Sequence, residues 1–121
     1  MAAYDRTVVV LGAAGSVGSE AVRQLSKRGF FTNIILADLN IDITQGLAQE
    51  VGGKAIEIDV TDEPALKNLI KQASVVLNAA GPFFRYGTQV IHSVIESRIP
   101  YADVSDEEEA ILELFSSSYI D

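Results

Sequence analysis

The chain alternates short apolar runs with longer amphipathic stretches, and the alternation starts near its N-terminus. "TVVVLG" (7–12) is β-branched and continuously apolar, the pattern of a strand buried on both faces. "SVGSEAVRQLSKRG" follows, with Val17, Ala21, Val22 and Leu25 predicted on one helical face and Gly29 placed as a C-terminal cap. "NIILAD" (33–38) predicts a second strand. "DITQGLAQEVGG" predicts a helix with Ile43, Leu47 and Val51 at four-residue spacing, stopped by glycine. "KAIEIDV" (54–60) has the alternating character of a third strand at a sheet edge.

The second half keeps the rhythm. "TDEPALKNLIKQ" predicts a helix capped by Thr61 or Asp62, with Pro64 in its first turn and Ala65, Leu66, Leu69 and Ile70 inward. "SVVLNAAG" (74–81) predicts a fourth strand and "GTQVIHSVIES" a helix with Val90, Ile91, Val94 and Ile95 inward. "PYADVS" (100–105) predicts a short fifth strand, and Ser105 with Glu108 a capping box opening the helix "DEEEAILELFSSS". Strands alternating with helices imply a parallel sheet built by right-handed crossovers. The expected fold is α/β: a doubly wound parallel five-stranded sheet, order 3-2-1-4-5, Rossmann-like, with the sixth strand usual in that class absent from this chain.

The first strand–helix junction, "GAAGSVG", carries Gly12, Gly15 and Gly18 at three-residue spacing. Glycine costs about 0.5–1 kcal/mol relative to alanine inside a helix or strand. At a strand-to-helix turn it has a use, because the free N–H groups and dipole of the helix form a site for a pyrophosphate. There Gly12 permits the tight turn, Gly15 lets phosphates approach the backbone, and Gly18 lets the helix pack closely. Ala13, Ala14, Ser16 and Val17 complete the candidate phosphate loop. Asp38, twenty residues past Gly18 at the end of the second strand, is placed to accept the hydroxyls of an adenosine ribose, with Leu39 beside it. Asp59 and Val60 end the third strand as candidate adenine neighbours. Asn78, Ala79, Ala80 and Gly81 end the fourth, where small residues would let the backbone meet the diphosphate and nicotinamide ribose. Asp38 also bears on which dinucleotide binds. The 2′-phosphate of NADP would meet it as a like charge, costing on the order of 4 kcal/mol at 4 Å and an effective dielectric of 20. "ADLNIDITQG" contains no Lys or Arg, so NAD is expected over NADP.

Composition narrows the classes. The 121 residues are 48% hydrophobic, a single folded domain by size. Their net charge of −8 argues against a nucleic-acid partner, since phosphate backbones require a basic face. Seven acids and no Lys or Arg follow Tyr101, read as a solvated acidic helix. Apolar runs fall well short of the roughly 20 residues a membrane span needs. Cysteine is absent and "MAAYDRTVVV" does not resemble a secretion signal, so a cytoplasmic location is expected.

Together "VVVLGAAGSVGSEAV", "ADLN", "IDVTD" and "NAAGPFFRYGTQVIHSVIESRIPYADVSDE" resemble the N-terminal NAD(P)-binding domain of the saccharopine dehydrogenase family, from Arg6 to about Glu109. The resemblance implies a nicotinamide-dependent oxidoreductase. It would transfer hydride to or from the C–N bond of a secondary amine formed between an amino acid and an oxo acid. Residues 1–121 would then be the dinucleotide-binding domain of a longer two-domain enzyme, binding cofactor without turnover, and the exposed fifth-strand edge would favour a homo-oligomer. An extended short-chain dehydrogenase or epimerase shares G-x-x-G-x-x-G, but no Tyr-x-x-x-Lys pair occurs in the chain. A non-catalytic dinucleotide sensor is the third reading. His92, the only histidine, is read as a surface residue, and no His/Asp/Glu cluster has metal-ligand spacing. Phe83, Phe84, Arg85 and Tyr86 would lie on a loop at the C-terminal edge of the sheet. Tyr101 and Asp103 would end the fifth strand near the same crevice, and no residue is assigned as catalytic.

Overall fold

The structure, a computed structural model, describes residues 6–79 and the backbone of 101–103. Its elements are β1 (Thr7–Leu11), α1 (Ser16–Arg28), β2 (Asn33–Asp38), α2 (Ile41–Val51), β3 (Lys54–Glu57), α3 (Glu63–Ile70), β4 (Val75–Asn78) and β5 (Tyr101–Asp103). All pairings are parallel. β1 lies between β2 and β4, with Val9 opposite Ile35 on one side and Val76 on the other. β3 flanks β2, which gives the order 3-2-1-4 expected from the sequence, and β5 pairs outside β4 through Val76–Asn78. The helices expected over 87–97 and 106–118, with His92 and the Ser105–Glu108 capping box, lie outside the described residues, as do Phe83, Phe84, Arg85 and Tyr86.

The continuously apolar strands bury both faces because helices cover both. Val9, Leu11, Ile35, Ala37 and Val76 pack with Leu66, Leu69 and Ile70 of α3. The alternate positions Val8, Val10, Ile34 and Leu36 pack with Val22 of α1 and with Leu47 and Ala48 of α2. Each fully buried Val, Leu or Ile contributes about 1.5–3 kcal/mol relative to an exposed one. The crossovers therefore place α1 and α2 on one face of the sheet and α3 on the other.

Local signals end the elements. Gly29 caps α1 with its N–H donated to the Leu25 carbonyl. Asp62, rather than Thr61, caps α3, its carboxylate accepting from the Ala65 N–H at 3.2 Å, and Pro64 lies in the first turn. Three expectations need correction. β3 ends at Glu57 instead of residue 60, because Asp59 accepts the Thr61 N–H and the Asp62 N–H donates to the Asp59 carbonyl, turning the chain toward α3. Val17 is 55% exposed, because the buried stripe of α1 runs through Gly18 and Val22. Ile43 is 52% exposed, because α2 buries Thr44, Leu47 and Ala48. Thr44 can face inward because its hydroxyl donates to the Asn40 carbonyl at 2.7 Å.

The β1–α1 turn decides where α1 lies. Gly12 has φ of 78°, in the region that favours glycine. A Cβ on Gly18 would collide with the Gly12 carbonyl oxygen and lie 2.8 Å from its carbonyl carbon and 3.0 Å from Ala13 Cα. The close approach is thus to the turn itself rather than to the body of β1. At Gly15 a Cβ would meet only the Gly12 oxygen, at an ordinary 3.5 Å. Gly18→Ala is therefore expected to destabilise the fold by about 1–3 kcal/mol, the usual range for overpacking, whereas Gly15→Ala stays near wild-type stability. Urea denaturation of both variants checks this, and equal stabilities would contradict the close-approach argument.

Candidate functional site

The C-terminal ends of β1, β2, β3 and β4 bring their following segments to one edge of the sheet, where α/β proteins of this topology bind ligands. The end of β2 holds the glycine turn in place. The N–H groups of Gly12 and Ala13 both donate to the Ala37 carbonyl, at 2.9 and 3.3 Å. The next amide, Ala14, donates to Asp38 Oδ2 at 3.0 Å, and Gly15 closes back on the Gly12 carbonyl at 3.2 Å. Asp38 Oδ1 accepts from the Asn40 N–H at 2.9 Å. One carboxylate thereby ties the turn after β1 to the turn after β2.

Beyond the turn, α1 begins without a side-chain cap and without an acid in its first turn. The amides of Ser16, Val17 and Gly18 have no acceptor within the helix, and the helix dipole adds positive potential at the same place. This end of the helix is suited to an anion.

A cleft of about 380 Å³ opens at this edge, within the size range of small-molecule sites. It collects eight of the residues singled out from the sequence: Gly12, Ala14, Gly15, Asp38, Leu39, Asp59, Val60 and Ala79. Ala13 and Gly18 are buried beneath the turn. Asn78 is fully buried at the end of β4, where the following Ala79 N–H donates to the Leu11 carbonyl at 2.8 Å. Ser16 and Val17 are exposed in the first turn of α1, while Ala80 and Gly81 lie outside the described residues.

Four lining residues were not singled out as site residues from the sequence: Ala37, Asn40, Ile43 and Ile58. Asn40 had a readable signal, since it caps α2 by accepting the Ile43 N–H at 3.2 Å. Ile43 had a misleading one, because its four-residue spacing to Leu47 also fits a core position. With Leu39, which is 64% exposed, it gives the cleft an apolar, solvent-facing wall. Among the described residues, the charged ones lining the cleft, Asp38 and Asp59, are both acids, and neither Lys nor Arg lines it.

A parallel doubly wound sheet with a glycine turn opening an uncapped helix defines the Rossmann-like class of nucleotide-binding domains. Residues 8–117 match the family described as "Saccharopine dehydrogenase NADP binding domain". The chain belongs to that family. It is 31% identical over 118 residues to a "Lipid droplet localized protein" of Caenorhabditis elegans, covering 88% of this chain and 27% of that one. It is 41% identical over 73 residues to a "Saccharopine dehydrogenase-like oxidoreductase" of Bos taurus, covering 60% of this chain and 16% of the other. Among solved structures it resembles the apo saccharopine dehydrogenase (L-Glu forming) of Saccharomyces cerevisiae, with a TM-score of 0.77 and 28% identity, covering 90% of this chain and 24% of that one. The chain thus spans about a quarter or less of the length of these relatives. Among the described residues, no helix is long and apolar enough to cross a membrane.

The Asp59 carboxyl on the cleft is perturbed. Its Oδ1 accepts from the Thr61 hydroxyl at 2.6 Å and from the Thr61 N–H at 2.9 Å, and these two bonds, the hydroxyl first, hold its pKa below the usual aspartate value. A depressed folded-state pKa contributes stability above the unfolded value, and that contribution is lost as pH falls through the folded pKa. Thr61→Val removes the hydroxyl donor, so the Asp59 pKa is expected to rise toward its ordinary value. A carboxyl-carbon NMR titration reads it directly, and an unchanged Asp59 titration would remove Thr61 as the cause.

Proposed function

We propose that this chain is the cofactor domain of a saccharopine-dehydrogenase-like oxidoreductase that prefers NAD. The domain's membership of an NADP-binding family supports dinucleotide binding. The amides opening α1 receive the pyrophosphate, and Gly15, with no side chain, leaves them open to it. Asp38 accepts the adenosine ribose hydroxyls. Each of its oxygens gives one lone pair to a backbone amide and keeps another for the ligand. Leu39, Ile43 and Val60 supply apolar surface for the adenine, with Asp59 at its rim. Asn78 and Ala79, at the end of β4, serve the nicotinamide half. Bound there, the nicotinamide supplies the hydride acceptor or donor.

In the whole protein the substrate is an adduct of an amino acid and an oxo acid whose C–N bond is oxidised or reduced. It is held close to the nicotinamide and away from water by residues outside this domain. This domain alone binds cofactor without turnover, and the protein works in the cytoplasm.

The observation that carries the preference for NAD is the Asp38 carboxylate on a cleft that, among the described residues, no Lys or Arg lines. NADP would bring its 2′-phosphate against that carboxylate, at a cost on the order of 4 kcal/mol at 4 Å and an effective dielectric of 20, less once salt screens it. Isothermal titration of NAD and NADP into the protein tests the reading, with NAD expected to bind more tightly by at least about tenfold, or 1.4 kcal/mol. Equal affinities, or tighter NADP binding, would overturn the preference for NAD.

A further inference from the structure

Asp38 does more than present a negative charge. Its two oxygens receive N–H groups from two separate turns, Ala14 at 3.0 Å and Asn40 at 2.9 Å. The Asn40 contact spans two residues and is a common local turn. The Ala14 contact spans 24 residues and joins the glycine turn to the end of β2. Two backbone donors converging on one anionic group form the kind of cradle proteins build for oxyanions.

We propose that the Ala14 and Asn40 amides form an anion site that the Asp38 carboxylate fills. Resting on the reading that Asp38 faces the adenosine ribose, the inference is that Asp38 disfavours NADP in two ways. It repels the 2′-phosphate, and it occupies the backbone donors that the phosphate would use. Carboxylate and phosphate oxygens are the same kind of acceptor, so the two groups compete for one pair of N–H groups. With Asp38 in place, the ribose hydroxyl of NAD needs only the lone pairs that the amides leave over. If the carboxylate is lost, both amides are left unpaired at the cleft.

Two substitutions separate repulsion from occupation. Asp38→Asn removes the charge but keeps an amide oxygen able to hold Ala14 or Asn40. Asp38→Ala removes the charge and frees both donors. Repulsion alone predicts equal gains in NADP affinity. The filled site predicts that Asp38→Ala gains about fivefold more than Asp38→Asn, roughly the worth of one hydrogen bond. It also predicts that inorganic phosphate competes with NADP more strongly in Asp38→Ala than in Asp38→Asn.

Titrations of NAD, NADP and inorganic phosphate into the wild type and both variants at one ionic strength read this directly. Equal gains, with equal phosphate competition, would overturn the proposal. If the wild type binds NADP as tightly as NAD, the preference for NAD fails, yet the comparison between the variants still reports on the donors. A measurement on the wild type needs no substitution. Amide exchange at Ala14 and Asn40 is expected to be slower than at neighbouring Leu39, and unprotected exchange at Ala14 would also overturn the proposal.

Discussion

Three consecutive amides, those of Gly12, Ala13 and Ala14, donate to two consecutive residues at the end of β2, Ala37 and Asp38. The turn after β1 is therefore held by the neighbouring strand as well as by its own conformation. From below, Gly18 approaches the Gly12 carbonyl so closely that no side chain fits between them. Clamped on both sides, the turn fixes where α1 begins, and with it the direction in which the free amides of that helix point. Both the proposed pyrophosphate site and the proposed ribose site depend on this one cluster of hydrogen bonds.

The sheet makes the cluster possible. Parallel strands place all their C-terminal ends at one edge, so the segments after β1, β2 and β3 meet there although they are distant in sequence. Helices on both faces bury the strands that hold this edge. The arrangement suits a member of an NADP-binding domain family: hydrophobic burial fixes the scaffold and leaves backbone donors at its edge.

Much of this was legible in the sequence, because its strongest signals are local. Apolar runs located β1 and β2, Gly29 and Asp62 acted at helix ends as their residue types suggest, and the position of Asp38 at the end of a strand drew attention to it. Val17 and Ile43 were misplaced because four-residue spacing fits two adjacent faces of a helix. Packing chose the face through Gly18 in α1 and through Thr44 in α2, and neither residue is hydrophobic enough to announce a core position. The bond from Ala14 to Asp38 was invisible for another reason. It joins two turns through a backbone amide, and a backbone amide leaves no mark in a sequence.

The most direct test of the account is to map, by amide NMR, where NAD perturbs the wild-type protein. The account predicts shifts concentrated in residues 12–18, 38–43, 58–60 and 78–79, at the C-terminal edge of the sheet. Perturbations centred instead on the opposite edge, around Thr7, Asn33 and Lys54, would contradict it, because there the strands begin and a second cleft of about 350 Å³ is open to a ligand.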